Sequence, residues 1–137
     1  MTRAGDDARA HEAPLAGRRV LVVEDEALVA MLLEDRLRDA GAEVVGPVGS
    51  VGEALGLIEG AARDGGLGAA VLDVKLGGEV VRPLADRLAA LGVPFLFATG
   101  YGEGWDRGAH ATAPVLPKPF DPDALVAAVE GLAPAGR

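Results

Sequence analysis

The sequence predicts an α/β fold in which a parallel sheet carries helices on both faces. Short valine- and leucine-rich runs alternate five times with longer stretches that are amphipathic or rich in glycine. The runs are apolar at nearly every position, as strands that are buried on both faces must be. Strands that alternate with helices indicate crossover connections between parallel neighbours. The 137 residues are enough for one domain of this kind.

Five apolar runs are predicted to form the strands. Each run is too short for a helix and is bounded by glycine, proline or charged residues. Pro47 is expected to shorten the second strand, because proline lacks the backbone N–H that strand pairing needs. The predicted strands cover residues 19–24, 43–48, 69–73, 93–98 and 114–117.

Four amphipathic stretches are predicted to form helices after strands one, two, three and five. Ser50 and Glu53 form a capping box at the start of the second helix, and Asp121 precedes the proline that begins the last. Gly41 and Gly92 are expected to end the first and third helices. The residues expected to face the core are Val29, Leu33 and Leu37, then Ala54, Leu55, Ile58 and Ala62, then Leu84, Leu88 and Leu91, and finally Leu125, Val126, Val129 and Leu132.

Two segments lack this regular pattern. Residues 1–17 are polar and aperiodic, so we expect a loose N-terminal tail. Residues 101–112 contain Gly102, Gly104 and Gly108, and each glycine costs a helix about 1 kcal/mol relative to alanine. We therefore expect a weak helix there, the fourth in chain order. The expected domain spans residues 18–133, with no output domain after it.

Charge and composition argue against several classes of function. The net charge of −8, from 21 acidic and 13 basic residues, disfavours nucleic acid and anionic membranes as partners. The absence of cysteine excludes a disulfide, a thiolate metal site and a thiol nucleophile. No apolar run approaches the ~20 residues of a membrane span, and no signal peptide is recognisable. A cytoplasmic location is therefore expected.

Polar residues collect where the predicted strands end. Glu24 and Asp25 stand at the end of the first strand, Asp73 ends the third, Thr99 follows the fourth and Lys118 follows the fifth. Ligands of parallel α/β sheets bind at these strand ends, so the five side chains are expected to share one cleft. Neighbouring carboxylates repel one another, and a hard cation such as Mg²⁺ or Mn²⁺ relieves the repulsion. With that cation and the lysine the formal charge is zero, which would let an aspartate accept a phosphoryl group.

Four motifs in this order resemble the receiver domains of two-component response regulators. They are Val-Leu-Val-Val-Glu24-Asp25-Glu26, Ala-Ala-Val-Leu-Asp73, Phe-Ala-Thr99-Gly100 and Leu-Pro-Lys118-Pro119-Phe120. The resemblance covers residues 18–132, nearly everything except the tail. It implies a (βα)5 flavodoxin-like fold, a doubly wound parallel sheet with strand order 2-1-3-4-5.

The resemblance implies a metal site and a phosphorylation site. Asp73 would be the phosphoacceptor that becomes an aspartyl phosphate. Glu24 and Asp25 would bind magnesium together with Asp73 and the backbone carbonyl of Lys75. Glu26, the third acid of its motif, is expected only to favour the dipole of the following helix.

The resemblance also implies residues that respond to phosphorylation. Thr99 would bind the phosphoryl group and shift with it, and Lys118 would be the counter-charge, with a cis peptide bond to Pro119. Receivers usually carry an aromatic switch residue near the position of Val115. Tyr101 is expected to take over that switch role.

Residues 94–102 resemble more closely the "FAT GUY" single-domain regulators of alphaproteobacteria. That group is associated with HWE-type histidine kinases and with general stress signalling. The resemblance therefore implies a stand-alone receiver in a two-component phosphorelay. Its donor would be a histidine kinase or a phosphotransfer protein, and its output would be binding to a further protein. Its own chemistry would be limited to self-catalysed phosphotransfer and dephosphorylation, so it would not be an enzyme.

Three alternatives stay open on the sequence alone. A haloacid-dehalogenase-like phosphatase also uses Asp, Thr, Lys and Mg²⁺, but it needs an acid where Lys75 stands, and its nucleophile follows the first strand. A flavodoxin-like cofactor binder needs a hydroxyl- and glycine-rich loop after the first strand, where three acids would repel the phosphate. An unphosphorylated pseudo-receiver would not need the complete set of acidic, hydroxyl and ammonium groups.

Overall fold

A computed structural model describes residues 13–100, residue 110 and residues 113–132. Within these residues one parallel sheet contains the strands β1 (Arg19–Val23), β2 (Glu43–Val48), β3 (Ala69–Asp73), β6 (Phe95–Thr99) and β7 (Val115–Pro117). Their order in the sheet is β2-β1-β3-β6-β7. The first strand along the chain lies inside the sheet, and later strands add on both sides, which confirms the predicted doubly wound order.

Both faces of the sheet are covered by helices. The helices in the described part of the chain are α1 (Ala27–Asp39), α2 (Val51–Ala62), α3 (Arg82–Ala90) and α4 (Pro122–Glu130). Alternate strand residues point to opposite faces. In β1, Val20 and Val22 therefore join the core under α1 and α4, whereas Leu21 and Val23 join the core under α2 and α3. None of the described helices has the length and apolar character needed to cross a membrane.

The predicted start and stop signals lie at the observed helix ends. Ser50 Oγ accepts a hydrogen bond of 3.1 Å from the backbone N–H of Glu53, and Asp121 caps α4 with its carboxylate. Gly41 and Gly92 follow α1 and α3 with φ of +99° and +75°, a region that favours glycine.

The inward faces of two helices differ from prediction. In α2 Ala61 is buried together with Ala54 and Ile58, whereas the predicted Ala62 is exposed. In α3 Ala85 is buried, while Leu91 is 37% exposed because it lies beyond the last helical residue. Both corrections place the apolar stripe at helical steps of three and four residues, which the sequence pattern alone did not resolve.

The packed part of the chain begins earlier than predicted. Residues 13–17 belong to the predicted tail, but Leu15 is fully buried against α1 and α4. Its backbone N–H donates a 2.8 Å hydrogen bond to the carbonyl of Ala40. Arg18 then donates a 2.9 Å hydrogen bond to the carbonyl of Val129 in α4. A lone leucine in a polar segment has no periodic partner, so this contact cannot be recognised from the residue pattern.

A small hairpin that the sequence analysis did not predict follows β3. Its strands, β4 (Lys75–Leu76) and β5 (Glu79–Val80), pair antiparallel. Gly77 and Gly78 form the two-residue turn with φ of +57° and +92°, and positive φ at both positions is what a type I′ turn requires. Leu76 is buried and anchors the hairpin in the core under α2 and α3.

The segment predicted as a weak helix at residues 101–112 lies outside the described residues, apart from His110. The predicted switch residue Tyr101 and residues 1–12 of the predicted tail also lie outside the described residues.

Candidate functional site

The carboxyl ends of the strands meet at one edge of the sheet, where a cleft of about 670 Å³ opens. Asp73 is the last residue of β3 and Thr99 the last residue of β6. Glu24 and Lys118 come directly after β1 and β7. Four of the residues singled out by the sequence are therefore brought to one place by strand pairing.

Three carboxylates lie close together at this edge of the sheet. One oxygen each from Glu24, Asp25 and Asp73 lies within 4.8 Å of the other two. Glu24 and Asp73 are buried, with only 3% and 5% of their surfaces exposed, whereas Asp25 is exposed. The predicted acidic cluster is thus assembled, and it combines two carboxylates inside the protein with one at the surface.

Lys118 provides positive charge among these acids. Its Nζ lies 2.7 Å from Glu24 Oε1 and 3.5 Å from Asp73 Oδ1. Burial lowers the pKa of Lys118, but the hydrogen bond to Glu24 and the charge of Asp73 outweigh burial, so its pKa lies above the ordinary value. The lysine is therefore charged at neutral pH. Its peptide bond to Pro119 is cis, as the resemblance implied.

Asp73 is the most perturbed acid of the site. Burial and the nearby negative charge of Glu24 raise the pKa of Asp73 to about 7. A 3.2 Å hydrogen bond from the backbone N–H of Lys75 and the charge of Lys118 lower the pKa of Asp73, but they do not cancel the increase. A cation placed among these carboxylates would favour the charged form of Asp73.

Glu26 contributes to the site beyond the helix-dipole role that the sequence predicted. Its backbone N–H donates a 3.0 Å hydrogen bond to Glu24 Oε2, which helps to hold the buried carboxylate in place. Its own carboxylate lies 3.8 Å from the Nζ of Lys118. The run of three consecutive acids after the first strand was the feature of the sequence that could have indicated a role for Glu26 in the site.

The donor set fits a hard divalent cation. Mg²⁺ and Mn²⁺ prefer carboxylate oxygens as ligands, whereas softer metals prefer nitrogen or sulfur. Lys75, whose carbonyl was a predicted ligand, lines the same cleft as Asp25 and Asp73. With the three carboxylates charged and one lysine bonded to them, the formal charge is −2, which one divalent cation balances.

The cleft continues from the acids onto an apolar rim. Val29, Leu32 and Phe120 line this part of it. Leu32 also belongs to an outward-facing group on α1, the α1 patch, which consists of Leu28, Met31 and Leu32. These side chains are 76%, 56% and 63% exposed, respectively. The predicted core face of this helix comprises only its inward stripe, although the run Ala-Leu-Val-Ala-Met-Leu-Leu also contains the second apolar face.

The chain is similar in sequence to a known regulatory protein. No family model matches the chain. The transcriptional regulatory protein PdtaR of Mycobacterium tuberculosis is 34% identical over 123 residues, which cover 82% of this chain and 55% of PdtaR. The chain thus spans about half the length of the curated relatives it matches.

Two solved structures resemble the chain closely. SdrG from Sphingomonas melonis Fr1 is 43% identical with a TM-score of 0.68, and the match covers 85% of this chain and 97% of SdrG. The response regulator PhyR from Brucella abortus is 26% identical with a TM-score of 0.72, and the match covers 90% of this chain and 51% of PhyR. PhyR is also described as a stress response regulator. The chain belongs to the receiver domains of response regulators.

Proposed function

We propose that this receiver domain accepts a phosphoryl group on Asp73 and signals by binding other proteins. The observation that carries the proposal is the position of Asp73, which is buried at a strand end with Lys118 Nζ 3.5 Å from its carboxylate. Two further carboxylates stand beside it at metal-ligand distances. Asp73 is an oxygen nucleophile of the class that forms acyl phosphates.

The transfer follows from the side chains around Asp73. A carboxylate oxygen of Asp73 attacks the phosphorus of a phosphohistidine, an O–P bond forms, and the N–P bond breaks. The histidine nitrogen leaves with the electron pair of that bond and takes up a proton from solvent. Lys118 and the hydroxyl of Thr99 contact the phosphoryl oxygens, and the ammonium group balances part of their added charge.

We propose that Glu24, Asp25, Asp73 and the carbonyl of Lys75 hold Mg²⁺ during this reaction. When bound, the cation supplies positive charge to the phosphoryl oxygens as they approach the carboxylates. Without such a charge the phosphoryl group would meet the uncompensated negative charge of these carboxylates. The electrostatics of the site therefore support a metal-dependent transfer.

A protein is the phosphoryl donor that fits the surroundings of the cleft. Asp73 is buried, so a donor must lie directly over the cleft to bring its phosphohistidine within reach. The α1 patch adjoins that opening through Leu32, and an exposed apolar surface of this kind is typical of protein contacts. We propose a histidine kinase of the HWE type, or a phosphotransfer protein, as the donor. Similarity to PhyR supports a role in stress signalling.

Intact-mass spectrometry tests this proposal. Wild-type protein incubated with acetyl phosphate and Mg²⁺ is expected to gain the mass of one phosphoryl group, whereas Asp73→Asn is expected to gain none. Asp39→Asn is the matched control, because Asp39 is an exposed aspartate at the end of α1, outside the cleft. Equal modification of wild type and Asp73→Asn, or no adduct on the wild type with either acetyl phosphate or a cognate kinase, would refute the proposal.

A further inference from the structure

We propose that Glu79 is a positioning residue that holds the metal-binding loops together around Asp25. In this role Glu79 fastens the β4–β5 hairpin to the start of α2. The two segments that Glu79 connects both pack against Asp25, a predicted metal ligand. The inference rests on the proposed function, because it concerns how well the ligands of that site are preorganised.

Asp25 is close to both the loop that precedes α2 and the turn of the hairpin. A Cβ atom on Gly49, in the first of these loops, would lie 3.3 Å from Asp25 Cα and 3.4 Å from its Cβ. A Cβ atom on Gly77, in the hairpin turn, would lie 3.8 Å from Asp25 Oδ2. The two loops therefore each form a wall beside this exposed carboxylate, and their positions limit the space in which it can turn.

Glu79 joins the two walls directly. Its Oε1 accepts a 3.0 Å hydrogen bond from the backbone N–H of Val51, the first residue of α2. The first N–H groups of a helix have no partner within the helix. Ser50 satisfies the third of them, that of Glu53, and Glu79 satisfies the first from 28 residues away. A carboxylate is favoured at this position because the helix dipole is positive there.

The hairpin needs this attachment because it is very short. Each of its strands has two residues, and a two-stranded hairpin is only marginally stable by itself. Leu76 fixes one strand by inserting into the core, and Glu79 is its cross-strand partner. The hairpin is thus held by Leu76 on one strand and by Glu79 on the other.

The same hairpin begins at Lys75, whose backbone N–H and carbonyl both belong to the site. Its N–H donates to Asp73 Oδ1, and its carbonyl is a predicted metal ligand. If the hairpin tilts away from α2, both this carbonyl and the wall at Gly77 move relative to Asp25. Loss of the Glu79 hydrogen bond should therefore weaken cation binding without removing any ligand.

The test measures Mn²⁺ binding to the full chain by calorimetry, with Mn²⁺ as the probe. Glu79→Ala is expected to bind Mn²⁺ about fivefold more weakly than wild type, the effect of losing one hydrogen bond. Glu79→Gln is expected to stay within about twofold, because its amide oxygen can accept the same hydrogen bond. Val80→Ala, a change at an exposed neighbour in the same hairpin, should leave the affinity unchanged. In Glu79→Ala the Val51 amide hydrogen should also exchange faster with solvent.

The outcomes separate this inference from the function on which it rests. Wild type that binds Mn²⁺ and is phosphorylated, with a Glu79→Ala variant that binds equally well, would overturn the role of Glu79 alone. Equal weakening in Glu79→Ala and Glu79→Gln would also overturn it, because the lost charge would then explain the effect. Unchanged exchange of the Val51 amide would do the same. Failure of the wild type to bind Mn²⁺ and to take up phosphate would refute the proposed function itself.

Discussion

The inner acids, Glu24 and Asp73, and the outer acids, Asp25 and Glu26, belong to one site but differ in depth. The inner acids are buried, and both lie within 3.5 Å of the Nζ of Lys118. The outer acids are exposed to solvent, where water stabilises their charge. The comparison shows that burial makes the inner pair dependent on a counter-charge. The outer pair can serve a ligand at little cost to stability.

The fold creates this difference through the position of each acid along the chain. Asp73 ends β3, which lies in the middle of the sheet, and Glu24 follows β1, its neighbour. Asp25 and Glu26 follow Glu24 directly, at the point where the chain leaves the sheet and begins α1. Three consecutive acidic residues thus pass from the interior to the surface, and only the first of them, Glu24, is withdrawn from water.

Removal of Lys118 should have the largest effect on stability. Lys118→Ala leaves Glu24, whose side chain is fully buried, without its counter-charge, and breaking a buried ion pair costs about 3 kcal/mol. Lys75→Ala, which changes an exposed lysine of the same cleft, should cost less than about 1 kcal/mol. Urea unfolding of both variants in chelator measures the difference. Similar small losses in the two variants would mean that burial does not distinguish the inner acids.

The free energy of unfolding should depend on pH because of Asp73, the second of the inner acids. The pKa of Asp73 is raised from 3.8 to about 7, so the folded state holds a proton that the unfolded chain releases. Its contribution to stability is complete below pH 3.8 and is lost as the pH rises through about 7. Between pH 5 and pH 7 the wild type should lose about 2 kcal/mol more than Asp73→Asn. Unfolding curves at several pH values in chelator check this, and parallel pH profiles of the two proteins would contradict it.

A change in an outer acid should separate ligand binding from stability. Asp25→Asn is expected to weaken Mn²⁺ binding about tenfold, because one charged ligand of the cluster is lost. Its stability in chelator should change by less than about 0.5 kcal/mol, since the side chain is exposed. Calorimetry and urea unfolding of the same preparation give both numbers. A loss of stability as large as that of Lys118→Ala would remove the distinction between outer and inner acids.

The sequence predicted the parts of the site that depend on where strands end. Asp73, Thr99 and Lys118 stand at the ends of apolar runs, and parallel strands bring such ends together. The Gly77–Gly78 hairpin was missed because strands of two residues have no alternation to detect. The buried contact of Leu15 and the pKa of Asp73 both depend on distances between remote segments. Such distances appear only when the sheet is assembled.

Side-chain periodicity predicted the helices well and their exact faces less well. Leu33 and Leu37 of α1 are buried as expected, whereas the apolar stripes of α2 and α3 include Ala61 and Ala85. Alanine is compatible with both the buried and the exposed face of a helix, so alanines give little information about which face is buried. The proposed switch role of Tyr101 and the assignment to the "FAT GUY" group stay predictions.

Chemical mapping of the phosphorylated residue shows whether Asp73 is the phosphoacceptor. Borohydride reduces an aspartyl phosphate to homoserine, which peptide mass spectrometry can place in the sequence. After incubation with a phosphoryl donor and Mg²⁺, we predict homoserine at position 73 in the wild type, and none when the cation is removed by chelator. Homoserine at Asp25 or at another acid, or an unmodified Asp73 in the presence of Mg²⁺, would contradict the account.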